Sequence, residues 1–182
     1  ESEAELDQAL DSLEKLKVNF VKLYDSKLNG SLFLSALKKS KTRGLITSGH
    51  MPFSVTLNQA LDAGMNGVEH LYYILKGSSK DELEITKQFQ RGTLGFWQAM
   101  PLLINSYNGT IANRLFNKMK MHEVFVIPTL HIGNTLSYLD EIDHSTDEYL
   151  NFLSARFKST YERRIKSALN SIPETLANRK NL

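Results

Sequence analysis

Apolar positions open the chain at helical spacing. Ala4, Leu6, Ala9, Leu10, Leu13 and Leu16 fall on one side, with acids early and Lys15 and Lys17 late, an order that suits a helix macrodipole. The period then shortens. Val18 to Tyr24 is β-rich and predicts a strand, stopped by Asp25-Ser26 and Asn29-Gly30. A second helical pattern runs from Ser31, as its cap, through Leu34, Ala36 and Leu37 to Gly44. Leu45 to His50 reads as a strand, Val55 to Ala63 as a helix ended by Gly64, and Asn66 to His70 as a third strand.

Alternating helices and strands with short connections predict parallel strands joined by crossover helices. Lys22 and His50 are 28 positions apart, and His50 and His70 are 20 apart. Such spacings fit the roughly 31 residues per unit of a (β/α)8 barrel, and also an open doubly wound sheet. The later sequence is more helical, with patterns at Leu83 to Gln90, Leu94 to Tyr107 and Thr110 to Met121. Pro101 is expected to break or begin a helix. Val124 to Leu130 predicts a fourth strand, apolar enough to be buried on both faces. Asp147 to Ile172 carries a long amphipathic pattern, whose aromatic stripe from Tyr149 to Tyr161 reads as a packing face. The polar tail from Pro173 to Leu182 is expected to be disordered.

Composition narrows the chemistry. The 182 residues suit one domain, and a net charge of +2 with dispersed basic residues calls for neither nucleic acid nor an acidic membrane. Lys38, Lys39 and Lys41 form the densest basic run and read as a solvated helix face. With no cysteine, disulfides, thiolate metal sites and Cys nucleophiles are excluded. No apolar run reaches the roughly 20 residues that span a bilayer. The compartment stays open between cytoplasmic and exported.

Lys22, His50 and His70 each stand at or near the C-terminal end of a predicted strand, where parallel barrels gather their catalytic groups. Alternation puts Phe20, Lys22 and Tyr24 on one strand face, and Ile46, Ser48 and His50 on one face of the next. A lysine in a run that reads as buried should be neutral, paired or chemically changed.

Three segments, Phe20–Asp25 (Phe-Val-Lys-Leu-Tyr-Asp), Ser48–Pro52 (Ser-Gly-His-Met-Pro) and Ala63–Leu71 (Ala-Gly-Met-Asn-Gly-Val-Glu-His-Leu), resemble strands four, five and six of amidohydrolase-superfamily barrels. The subgroup they resemble is that of imidazolonepropionase and Xaa-Pro dipeptidases, and Val126–Leu130 resembles strand seven. The resemblance implies a partial (β/α)8 TIM barrel over residues 1–131, with a helical extension or insertion over 132–182. It implies a lysine carboxylated at Lys22 that bridges two metals, with His50 and His70 on the second metal. It further implies divalent ions, Zn2+ foremost, that acidify water and polarise an amide, lactam or ester carbonyl. The substrate would be a small molecule or short peptide.

The strand-one His-x-His pair of that family is absent, as expected of an interior segment. The strand-eight Asp is not assigned, since Asp140, Asp143 and Asp147 are candidates by type alone. No catalytic residue is therefore assigned. The segment by itself is expected to be inactive, to be open to absence of its metal, and to self-associate through unpaired sheet edges.

Each residue also has a plainer reading. Lys22 could snorkel from a strand end, His50 could be a turn histidine, and His70 an interior one bonded to backbone. Glu69 is expected to point away from the site. His131, Tyr24 and Tyr73 are weaker candidates for contacting substrate, with aromatic packing the default for the tyrosines. His122 and His144 read as surface residues. Two readings compete with the hydrolase: a metal-free α/β binding or interaction module, and a homologue that keeps the fold and has lost catalysis.

Overall fold

The computed structural model describes residues 2–25 and 28–180, in two compact units, Glu1–Pro128 and Thr129–Leu182. In the first unit, α1 (Glu3–Lys15) opens with a capping box between Ser2 and Glu5, which satisfies amide donors that a helix start leaves unbonded. Strand β1 is Val21–Leu23, followed by α2 (Gly30–Thr42). Its cap is Asn29, whose side chain accepts from the Leu32 amide, while the predicted cap Ser31 donates its hydroxyl to Asn29. Lys39 of α2 pairs with Glu3 and Asp7 of α1, so the basic run that reads as solvated is partly neutralised.

Strand β2 (Thr47–Gly49) leads to α3 (Leu57–Ala63), capped by Thr56 with Gln59 and ended by Gly64 at φ 106°. Thr56→Ala removes one side of that capping box. It is expected to cost about 1 kcal/mol, measured as a shift in the urea midpoint at constant slope. Strand β3 (Gly67–Glu69) is followed at once by α4 (Leu71–Gly77), a short helix that the β-rich run Tyr72 to Leu75 conceals. Then come α5 (Glu82–Arg91), α6 (Phe96–Asn105), α7 (Gly109–Met121) and β4 (Phe125–Ile127). Pro101 does not break α6. It withholds one amide donor, but Ala99, Met100 and Leu103 anchor the helix in the core around it.

The strands form one parallel sheet in chain order, β1-β2-β3-β4. Lys22 stands beside Ser48, Ser48 beside Gly67 and Gly67 beside Phe125, one row across the sheet. Asn66 fixes the β2–β3 register, its side chain accepting from the Thr47 amide at 2.9 Å and its own amide donating to the Thr47 carbonyl. Val21, Leu23 and Val68 project to the helix-covered side and join Phe33, Leu61 and Tyr73 in the core. Burial of that apolar area is the main source of stability.

The opposite face is open, with Phe20, Ile46 and Phe125 about half exposed. Strand β4 thus corrects the expectation of a strand buried on both faces: all three of its residues are exposed. It lies at the edge of the sheet, and its apolar character is not matched by cover.

In the second unit, α8 (Leu130–Ser137) precedes a 3-10 turn (Glu148–Phe152), α9 (Ala155–Leu169) and α10 (Pro173–Lys180). Ser137 donates its hydroxyl to the Arg179 carbonyl, and Leu139 and Ala168 are buried. The tail expected to be disordered is therefore helical through Lys180; Asn181 and Leu182 lie outside the described residues. The stripe expected to pack is largely exposed, Phe152 by 84% and Phe157 by 66%.

Candidate metal centre

The three parallel strands β1, β2 and β3 deliver their C-terminal ends to one place. Lys22 leaves β1 on the open face, and His50 follows β2, its amide bonded to the Leu23 carbonyl at 3.0 Å. Glu69 ends β3 on the open face beside Ile127. Strict alternation would send the next residue, His70, to the other side. The backbone turns instead, with His70 at φ 71° and ψ 141°. A non-glycine residue held there costs of order 1–3 kcal/mol, a strain found disproportionately at functional sites.

That turn puts Glu69 and His70 into the same cluster. The Nε2 atoms of His50 and His70 are 3.0 Å apart, and their rings lie 4.7 Å apart at the centroids. Glu69 Oε2 is 3.5 Å from His50 Nε2 and 2.7 Å from Lys22 Nζ. Glu69 does not point away from the site, contrary to the sequence expectation; it joins the lysine to the histidines. The pairing raises the Lys22 pKa, first through its hydrogen bond to Glu69, so Lys22 is an ammonium here. Of the three fates open to a lysine in such a run, it takes pairing. The pKa of His70 is lowered, chiefly by burial and then by His50, which favours the neutral imidazole that metals bind.

Asp25 and Tyr72 complete the surroundings, and neither was singled out by sequence reasoning. Asp25 Oδ1 lies 3.6 Å from His50 Nδ1, and its Oδ2 is 3.4 Å from the Tyr73 hydroxyl. A carboxylate directly after a strand that carries a candidate ligand was the available signal, because such partners commonly orient ligating imidazoles. Tyr72 stacks on His70, with the rings 20° from parallel. Tyr24 meets His50 edge-on at 5.0 Å and lies under Lys22 Nζ. Tyr73 is fully buried, so packing accounts for its ring and only its hydroxyl reaches Asp25. His131 sits exposed in α8 of the second unit.

The donor chemistry fits a divalent cation. His50, Glu69 and His70 each offer an atom, all within 4.8 Å of one another. Two imidazole nitrogens on one tetrahedral ion at about 2.0–2.1 Å would stand about 3.3 Å apart, close to the 3.0 Å seen. Nitrogen and carboxylate oxygen are ordinary ligands of Zn2+ and related ions.

No protein-family model matches this sequence, and no curated protein matches it. A solved bottromycin amidohydrolase is similar in structure over 100% of this chain, with a TM-score of 0.63 and 17% sequence identity. The chain spans 36% of that protein's length. At that identity the likeness speaks for the fold: the chain shares the α/β architecture of part of an amidohydrolase.

Proposed function

We propose that the chain is part of a metal-dependent hydrolase that cleaves an amide, lactam or ester bond. In this reading its four parallel strands are strands four to seven of a (β/α)8 barrel, and the open sheet face is the barrel's inner side. The observation that carries it is the meeting of His50 Nε2 and His70 Nε2 at 3.0 Å, with Glu69 alongside, at the C-terminal ends of adjacent parallel strands. Barrel enzymes keep their active sites at that end.

His50, His70 and Glu69 would hold the ion, and Lys22 would join them after carboxylation of its amine. A bound divalent ion would acidify a water molecule and polarise the substrate carbonyl. The chain's own groups prepare the place. Asp25 lies on the Nδ1 side of the His50 ring, Tyr72 covers His70, and Glu69 holds Lys22 close to the two imidazoles. Carboxylation would require the Lys22 amine to leave Glu69, lose a proton and add to carbon dioxide, with release of a second proton from nitrogen as the carbamate forms. The substrate would be a small molecule or short peptide, with residues 132–182 as a helical extension. A bare apolar sheet face would favour self-association of the isolated chain.

The test is metal content, measured by plasma mass spectrometry on protein purified without chelator and reloaded with Zn2+. Stoichiometric binding is expected, lost in His50→Ala and His70→Ala and accompanied by hydrolase activity in the longest natural form of the protein. Equal metal binding by both variants would overturn the assignment of the ion to these residues, and none by the unaltered chain would leave a metal-free binding module as the better account.

A further inference from the structure

We propose that the Lys22 ammonium is a latch on the metal centre. It occupies the carboxylate oxygen that a divalent ion would take, and it must swing aside before the ion is fully held. The inference rests on the metal-dependent reading above and names what opposes loading of that site.

Glu69 Oε2 is the contested atom. It lies 3.5 Å from His50 Nε2, among the donors that would face the ion, and 2.7 Å from Lys22 Nζ, which donates to it. An ion bonded to that oxygen at about 2.0–2.2 Å would stand within about 5 Å of Nζ. A divalent ion and an ammonium so close repel strongly in a partly buried setting. The two cations therefore compete for one oxygen.

Exposure decides which partner gives way. The Glu69 side chain is only 12% exposed, at the end of a strand held in register beside Ile127. The Lys22 side chain is 38% exposed, on a flexible stem, with Nζ 5.2 Å from the centre of the Tyr24 ring. A lysine can carry its charge out to water while its stem stays packed. Glu69 left without it is a nearly buried, unpaired carboxylate, a state that favours capture of another cation. Removing the ammonium should thus strengthen metal binding, the reverse of what loss of a ligand does.

The experiment titrates Zn2+ into the metal-free full chain by calorimetry, in buffer purged of carbon dioxide so that the Lys22 amine stays unmodified. Lys22→Met is expected to bind Zn2+ at least about tenfold more tightly than the unaltered chain. Lys22→Gln serves as a second neutral variant, and Lys22→Arg, which keeps the charge, should bind no more tightly than the unaltered chain. Glu69→Gln should bind more weakly by at least about tenfold. In that background Lys22→Met should gain less than about threefold, because the latch acts through the carboxylate. Circular dichroism confirms that each variant is folded. Affinity in folded Lys22→Met and Lys22→Gln equal to or below that of the unaltered chain overturns the latch and leaves the metal reading standing. A gain matched by Lys22→Arg, or undiminished in the Glu69→Gln background, also overturns it. Absence of Zn2+ binding in every form, the neutral variants included, removes the metal reading and the latch together.

Discussion

Glu82→Ala is expected to cost the fold roughly 3–5 kcal/mol, read from urea midpoints. The side chain of Lys76 is completely buried, with Nζ donating to the Val55 carbonyl at 2.6 Å, lying 5.5 Å from the centre of the Phe53 ring and 4.0 Å from Glu82 Oε1. Glu82 Oε1 in turn accepts from the Leu57 amide at 2.7 Å. One carboxylate therefore offsets a buried ammonium and caps the start of α3. Removing it strands both groups, and breaking a buried pair from one side is far worse than replacing the pair. The double variant Lys76→Met with Glu82→Gln keeps an acceptor for Leu57 and buries no charge. It should lose less than half as much as Glu82→Ala.

The same pair gives stability an unusual pH dependence. Burial pushes Lys76 down to about 8, partly opposed by Glu82. Below that pH both folded and unfolded chains carry the proton, so the fold bears the full cost of a buried cation. Between about pH 8 and the ordinary lysine pKa of about 10.4 the unfolded chain binds more protons, and stability rises with pH. Burial raises the pKa of Tyr72 and Tyr73, so above about pH 10 unfolded phenols ionise first and stability falls. A maximum near pH 9–10 follows, with the rising limb absent in Lys76→Met. Midpoints that stay flat or fall from pH 8 to 10 in the parent chain would contradict this account.

Gly49→Ala is expected to cost more than about 4 kcal/mol or to prevent folding altogether. Gly49 has φ 136°, and a Cβ there would lie 2.2 Å from the Leu23 carbonyl oxygen and 2.9 Å from the Leu23 amide nitrogen. Both are backbone atoms of β1, which also accepts the His50 amide, so relief means pulling β1 from β2. Gly44 is the control. It too has positive φ, 71°, but nothing lies within 4 Å of a Cβ there, so Gly44→Ala should cost only about 1 kcal/mol of conformational strain. Denaturation monitored by circular dichroism separates the two, and comparable midpoints would show that β1 yields more readily than its packing suggests.

Much of this architecture is readable from the chain itself. The alternation of elements, the glycine stop at Gly64 and the ends of β1, β2 and β3 follow from period and turn chemistry. Strand lengths are read too long, because Val18, Phe20, Leu45 and Ile46 are apolar yet lie beyond the ladder. Helix α4 is hidden because Tyr72-Tyr73-Ile74-Leu75 favours strand by composition, and tertiary packing of Tyr73 and Ile74 overrides it. Lys22, His50 and His70 are visible as candidates, and the structure brings all three together. Glu69 is not visible as a partner, since period-two reasoning forbids it to share a face with His70. Only the left-handed backbone at His70 removes that prohibition, and neither the residue type nor its spacing announces it. Lys76 carries no sequence expectation at all, and nothing local foretells its burial.

The order of the sheet bears on how the first unit is assembled. Each strand pairs with the one made just before it, so only the β3–β4 pairing joins strands far apart in the chain. A ribosome adding roughly 5–20 residues per second would release β1 with α2, then β2 with α3, then β3. Each new unit would find its neighbour already in place, and loop closure would stay short at each early step. The stretch of helices α4 to α7 before β4 is the one long interval in that series. During it β3 is the growing edge, and Glu69 and His70 stand at its tip before Ile127 arrives to bond the His70 amide.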